Sequence, residues 1–210
     1  MSYDLRDFLM FTPEVYLRLF ERQNTTFGLW LLVAAVALLA VPALLCSQAT
    51  WARRLALVIA AVGWGATASV FMHRYYAPIN WPVSYFAWMY AAEGLLLIVA
   101  ALRLSPIKAH PPWAALGLGS VLMLSLLTAW AGDDWKALAL PGLTPDMTAL
   151  ATIVLLTTMP RGWRVGLLIV PLFWCLFSVL THWALGLHVP LMAPLAGVLL
   201  AVAAAFWPGP

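Results

Sequence analysis

Charge is the scarcest property of this sequence. Only 9% of its 210 residues are Asp, Glu, Lys or Arg, whereas soluble domains carry about 25%. Hydrophobic residues make up 64% of the chain. This composition excludes a soluble globular protein. It also excludes a nucleic-acid-binding protein, because the sequence has no basic patch with interleaved aromatic residues.

Cysteine and the common catalytic motifs are scarce as well. The two cysteines, Cys46 and Cys175, both lie in apolar segments and form no CxxC pair, which favours buried small hydrophobic residues over metal ligands. The sequence contains no Gly-rich phosphate loop, no HExxH and no GxSxG. These absences leave the question of an enzyme open, with a non-enzymatic membrane protein favoured.

Long apolar runs dominate what remains. A membrane span needs about 20 mostly apolar residues, and the sequence has about seven stretches of that length. It therefore predicts an all-α, seven-span helix bundle over residues 27–210, in contact with the lipid bilayer. The predicted spans are 27–48, 54–72, 83–102, 113–131, 138–159, 165–185 and 189–207.

The segment before these spans, residues 1–26, has a different pattern. Thr12-Pro13-Glu14 is typical of a helix start, with an N-cap, a proline at the first helical position and an acid in the first turn. Tyr16 and Phe20 belong to an apolar stripe on one helical face. We expect a short amphipathic helix that lies in the membrane interface before the first span.

Nine of the twelve tryptophans lie near predicted span ends, which is typical of the aromatic belt of membrane proteins.

The loops after spans one, three and five carry six basic residues and no acid, against two basic residues in the loops after spans two, four and six. The positive-inside rule then predicts an external N-terminus and a cytoplasmic C-terminus. The six basic residues are Arg53, Arg54, Arg103, Lys108, Arg161 and Arg164.

Two acids, Glu93 and Asp146, lie inside predicted spans, where an unpaired charge costs several kcal/mol and marks a candidate functional group. Pro141 and Gly142 should break the fifth span, and Thr144-Pro145-Asp146 should restart it with Thr144 as the cap. The restarted helix, 145–159, is too short to cross a bilayer alone. Irregular backbone at membrane depth is tolerated only inside protein or beside a water-filled cavity, and such breaks mark binding sites in transporters. A structural role for each acid, as an interhelical hydrogen bond or a helix cap, is the alternative.

Histidines form a third candidate site at the outer face. His73 ends span two, His182 ends span six and His188 opens span seven, and Asp133 follows span four. Imidazoles with a carboxylate suit zinc or a similar divalent ion, the one cofactor that the sequence suggests. The alternative is a set of interfacial histidines that never meet.

Several segments resemble an uncharacterised bacterial family of multi-pass membrane proteins, known as domain of unknown function 6064. They are Arg22-Gln23-Asn24, Asn80 within Ile79–Pro82, the run 143–152 and the run 169–174. The resemblance implies a bacterial inner-membrane protein and supplies no activity. In that family the position of Glu93 is more often glutamine, and His182 and His188 are not part of the pattern. Asp146 and Asn80 are therefore the better candidates for a shared site.

The leading hypothesis is a non-enzymatic membrane protein that binds or transports a small solute or ion near the broken fifth span. Asp146 and Glu93 would be its anionic or proton-carrying groups, and Asn80 and Thr144 would supply hydrogen bonds. One alternative is an intramembrane metal-dependent hydrolase at the outer histidines. Another is a structural subunit, with a membrane-protein partner or a second copy of the chain.

Overall fold

A computed structural model describes residues 9–47, 49–103, 112–131 and 135–207. All regular structure in these ranges is helical, which confirms the all-α prediction. The helices are α1 (Pro13–Thr26), α2 (Gly28–Cys46), α3 (Thr50–Ala66, continued as a π-helix over Thr67–Tyr76), α4 (Val83–Arg103), α5 (Pro112–Ala131), α6 (Pro145–Leu156), α7 (Arg161–Leu167), α8 (Ile169–Leu185) and α9 (His188–Phe206).

Five helical segments are long and apolar enough to cross a membrane, which indicates a multi-pass membrane protein. They are Gly28–Cys46, Thr50–Tyr76, Val83–Arg103, Arg161–Leu185 and His188–Phe206. Two shorter apolar helices, Ala114–Trp130 and Pro145–Leu156, fall on the predicted fourth and fifth spans.

The tryptophan belt is consistent with this arrangement, because Trp30, Trp51, Trp81, Trp183 and Trp207 are all more than half exposed near helix ends. Exposed indoles at helix ends fit a membrane–water interface, where one edge of the ring is apolar and the other wet.

The fifth predicted span is interrupted as expected. Residues 138–144 are irregular, Gly142 takes a positive φ of 83°, and α6 begins at Pro145. Eleven of the twelve α6 residues are buried, so this half-helix lies inside the bundle rather than on its surface. The break therefore places a helix N-terminus within the protein.

One detail of the break differs from the prediction. Thr144 occupies the N-cap position, but its hydroxyl makes no cap bond and donates instead to the Leu140 carbonyl at 3.2 Å. The turn that Pro141 and Gly142 create brings this carbonyl within reach of both the Thr144 amide and its side chain. Thr144 therefore closes the turn before α6 instead of capping the helix.

The sixth predicted span also differs, because it starts earlier and is divided. Helix begins at Arg161, leaves regular geometry at Leu168 and resumes at Ile169. Pro171, in the first turn of α8, lacks an N–H to continue the helical ladder from α7. Arg164 is thereby buried in α7, where its guanidinium donates to the carbonyls of Met159 and Trp207. A residue expected in a loop thus binds the ends of two helical segments.

The π-helical end of α3 was not anticipated from the sequence. It runs over ten residues, and its last turn is closed by the Ala77 amide donating to the Met72 carbonyl at 2.7 Å. π-helical turns are rare and frequently occur at functional sites. Here the wider turn directs both Tyr75 and Tyr76 into the protein.

Helix α1 starts as predicted, with the Val15 amide donating to the Thr12 hydroxyl and Pro13 at the first helical position. Its apolar face, with Tyr16, Leu19 and Phe20, is buried against the bundle. The amphipathic pattern of α1 therefore serves packing on protein at this face.

Gly63 of α3 packs directly on the break, and a Cβ atom at this position would lie 2.9 Å from the Gly142 Cα. Because backbone cannot move aside as a flexible side chain can, we expect Gly63→Ala to lower stability by about 1–3 kcal/mol. The measurement is thermal unfolding in detergent. Gly65→Ala is the matched control, since a Cβ there meets nothing within 4 Å. Equal melting temperatures for the two variants would contradict the close packing of α3 on the break.

Candidate functional site

Asp146 lies at the start of α6 and is only 8% exposed. The Trp174 indole N–H, from α8, donates to Asp146 Oδ1 at 2.8 Å. A carboxylate in the first turn of a helix is also stabilised by the positive end of the helix dipole. Asp146 is thus held by a partner on another helix in addition to its own helix end, which the capping interpretation alone did not include.

His182 faces the second oxygen of this carboxylate. Its Nε2 lies 3.8 Å from Asp146 Oδ2, beyond hydrogen-bond distance, and has no hydrogen-bond partner among the described residues. Its Nδ1 lies 3.1 Å from the Ser178 hydroxyl, one turn earlier in α8. His182 is 1% exposed, so an imidazole edge and a carboxylate oxygen face each other inside the protein.

Aromatic rings close this pair off on the side of α1. The Tyr16 ring packs edge-on against the His182 ring, with centroids 5.4 Å apart, and against Tyr76 at the same separation. Burial raises the pKa of Tyr16 well above its usual range, so its hydroxyl stays neutral. Helix α1 therefore covers the Asp146–His182 pair with an uncharged residue.

Asn80 reaches this region through Tyr76. Its side-chain amide donates to the Tyr76 hydroxyl at 3.3 Å, and the Tyr76 ring packs against Tyr16, which in turn contacts His182. Asn80 itself is half-buried beyond the end of α3. The structure thus connects Asn80 to Asp146 indirectly, and it places Thr144 in the turn just before Asp146.

Glu93 is the second acid and lies on the buried face of α4. It is fully buried, and within the described part of the chain neither carboxyl oxygen has a hydrogen-bond partner. Tyr90, one turn earlier in α4, donates its hydroxyl to the Pro145 carbonyl at 2.9 Å. Tyr90 therefore links the helix that carries Glu93 to the residue before Asp146.

The side chains of α1 bind the irregular backbone before α6. Gln23 Nε2 donates to the Leu143 carbonyl at 3.0 Å, and Asn24 Nδ2 lies 2.7 Å from the Lys136 carbonyl and 2.9 Å from that of Leu138. From the other side, the Gly142 amide donates to the Thr148 hydroxyl at 2.8 Å. Backbone groups that a regular helix would pair internally are thus satisfied by side chains.

The predicted metal ligands are dispersed where the structure describes them. His73 and His188 are exposed, whereas His182 is buried beside Asp146. Asp133 lies outside the described residues. Within the described ranges, no three His, Cys, Asp or Glu side chains are grouped to hold a metal ion. The described geometry therefore gives the zinc hypothesis no support.

Sequence reasoning missed the tryptophans that matter here. Trp64, Trp88 and Trp174 are the three that do not lie near predicted span ends, and two of them are buried hydrogen-bond donors. Trp174 donates to Asp146, and Trp64 donates to the Thr152 hydroxyl at 2.7 Å. An indole at mid-span carries an N–H that needs a partner, and this signal could have identified both.

The chain was compared with family models, curated proteins and solved structures, and none of them matches it. The site is therefore interpreted from its own geometry.

Asn24→Ala tests whether α1 holds the break. We expect faster hydrogen–deuterium exchange of amides 138–148, because two backbone carbonyls lose their donor and the local opening free energy falls by about 1–3 kcal/mol. Thr25→Ala is the control, since its hydroxyl bonds only to α1 carbonyls, those of Glu21 and Arg22. Unchanged exchange at the break in Asn24→Ala would show that the Asn24 side chain does not support it.

Proposed function

We propose that this protein binds and passes protons through the bilayer by way of Asp146, His182 and Glu93. The observation that carries the proposal is the 3.8 Å gap between His182 Nε2 and Asp146 Oδ2, with Nε2 unpartnered in a buried site. Ionisable groups at membrane depth are expensive, and in membrane proteins they mark ion pathways and proton relays. The small ion bound at the broken helix is then the proton.

Close packing favours a proton over a larger solute. Tyr16, Trp174 and His182 are each 1% exposed, so these groups around the carboxylate are themselves enclosed. A proton can be exchanged between an imidazole and a carboxylate by a small change in their separation. A larger cation would require α1 or α8 to move.

Glu93 supplies the next position along the path. Among the described residues its carboxyl has no hydrogen-bond partner. Tyr90 lies one turn before Glu93 in α4, and its hydroxyl bonds to the carbonyl of Pro145, the residue before Asp146. In this proposal Tyr90 is the group between the two acids. A buried carboxyl without a hydrogen bond lowers the stability of the fold. A role in taking up and releasing a proton explains why this position keeps one.

The topology proposed with this function has seven spans, an external N-terminus and a cytoplasmic C-terminus in a bacterial inner membrane. The resemblance to the family of domain of unknown function 6064 supports the location. Two of the segments that carry the resemblance meet at the break, where Gln23 and Asn24 bind the carbonyls of Leu143 and Leu138. Since no family model matches, membership rests on these segments.

Proton flux into vesicles tests the proposal. The purified protein is reconstituted into vesicles that contain a pH indicator, and a potassium gradient with valinomycin drives proton entry. We expect wild-type vesicles to acidify faster than protein-free vesicles, and Asp146→Asn and Glu93→Gln each to return the rate to the protein-free level. Both substitutions keep the size of the side chain and remove the titratable proton of the carboxyl group.

Glu14→Gln is the matched control, because Glu14 is an exposed acid of α1 outside the spans. It should acidify at the wild-type rate. Wild-type vesicles that behave like protein-free vesicles would refute the proposal, and so would undiminished flux in both buried-acid variants.

A further inference from the structure

The hydroxyl of Ser178 in α8 is bonded differently from those of three other helical serines. Ser69, Ser120 and Ser125 each donate to the carbonyl four residues earlier, at 2.8, 3.0 and 3.1 Å, as serines within helices commonly do. The Ser178 hydroxyl instead lies 3.1 Å from Nδ1 of His182, four residues later. Ser178 is 2% exposed, and within the described part of the chain this is the only hydrogen bond of its hydroxyl.

Because the Ser178 hydroxyl has a single partner, the direction of its hydrogen bond can be assigned. If Nδ1 carried a hydrogen, it would donate to Ser178 Oγ, and the buried hydrogen of the hydroxyl would then have no acceptor, which is costly. If Nδ1 is unprotonated, the hydroxyl donates to it and both groups are satisfied. The surroundings of Ser178 therefore favour an unprotonated Nδ1.

The opposite edge of the imidazole favours the same tautomer. A neutral imidazole with an unprotonated Nδ1 carries its hydrogen on Nε2. His182 Nε2 lies 3.8 Å from Asp146 Oδ2, so a hydrogen on Nε2 lies toward the carboxylate and is attracted by it, whereas a lone pair there would be repelled. Both ring nitrogens thus lead to one assignment.

From these observations we infer that Ser178 holds His182 in the neutral tautomer with its hydrogen on Nε2, and that the Ser178 hydroxyl controls when His182 takes up a proton. In this tautomer Nδ1 is the ring nitrogen with a lone pair, and the hydroxyl occupies it. His182 can be protonated at Nδ1 only after the hydroxyl turns to become the acceptor. The turned hydroxyl then donates to the carbonyl four residues earlier, that of Trp174, as the hydroxyls of other helical serines do.

This inference rests on the proposed proton path and names the group that regulates its buried pair. A proton forms an N–H bond at Nδ1, the Nε2–H bond breaks, and that hydrogen passes to Oδ2 of the Asp146 carboxylate. The imidazole is left neutral with its hydrogen on Nδ1, and Asp146 is left as a neutral carboxylic acid. Tyr16 of α1, which also faces the imidazole, packs edge-on against the ring. Ser178 is therefore a positioning residue that acts through His182.

Nitrogen-15 NMR of the imidazole tests the assignment. The protein is labelled with 15N-histidine in detergent, and the His182 signals are identified by their loss in His182→Gln. We expect an unprotonated Nδ1 and a protonated Nε2 in the wild type. In Ser178→Ala, Nδ1 loses its donor, so its signal should move away from the wild-type position. The ratio of the Nε2–H to the Nδ1–H tautomer should fall about two- to tenfold, as the loss of one hydrogen bond predicts.

Proton flux into vesicles tests the control of proton uptake. Ser178→Ala should acidify vesicles about two- to tenfold faster than the wild type, because the lost hydrogen bond stabilised only the neutral imidazole. Ser125→Ala is the matched control, since Ser125 is also buried and its hydroxyl bonds to a carbonyl of its own helix, that of Val121. It should leave both the His182 signals and the acidification rate unchanged.

The two measurements separate this inference from the proposed function. NMR needs no proton gradient, so wild-type vesicles that fail to acidify would refute the proton path and leave the tautomer assignment standing. The inference is overturned by a protonated Nδ1 in the wild type, by an unchanged Nδ1 signal in Ser178→Ala, or by flux in Ser178→Ala that is no faster than in the wild type.

Discussion

The structure depends on a single constraint, which is that backbone polar groups at membrane depth must find partners inside the protein. The turn at Pro141 and Gly142 interrupts a helix that would otherwise satisfy these groups. In a soluble protein water would replace the lost bonds. Here Gln23 and Asn24 of α1 donate hydrogen bonds to carbonyls on one side of the break. On the other side, the Thr148 hydroxyl accepts a hydrogen bond from the Gly142 amide. Helix α1, which is not among the five candidate spans, thereby supplies hydrogen-bond partners for the interior of the bundle.

The break in turn determines the chemistry of the interior. It brings the N-terminus of α6 into the protein, where the helix dipole favours a carboxylate, and Asp146 occupies that position. Trp174 and His182, both from α8, then face its two oxygens. At its other end, α6 is followed by Met159, whose carbonyl accepts from buried Arg164. A short helix is thus fixed at both ends by side chains of the segment that follows it.

Local signals made the break predictable, and the absence of local signals left its partners unpredicted. Pro141, Gly142 and Pro145 restrict their own backbone, so the start of α6 at Pro145 follows from neighbours in sequence. Gln23 binds a carbonyl 120 residues away, and no pattern within α1 specifies that contact. The π-helical end of α3 likewise has no local signal that we identified, whereas the interruption at Leu168 precedes Pro171, whose missing N–H is a local feature. Five of the seven predicted spans coincide with helices long and apolar enough to cross a membrane, and these were predictable because span length is a property of each segment alone.

The two faces of α6 explain why the acid and an apolar cavity, which separates α2 from α3 and α6, can coexist in so small a domain. Residues 146 and 148 are about 200° apart around a helix with 3.6 residues per turn, so they point to opposite sides. Asp146 faces α8, while Thr148 and Thr152 line the cavity toward α2. Their hydroxyls are bonded to Gly142 and Trp64 respectively, which leaves the cavity wall apolar. The hydrogen bonds of Thr148 and Thr152 therefore keep this side of α6 apolar, opposite the side that carries Asp146.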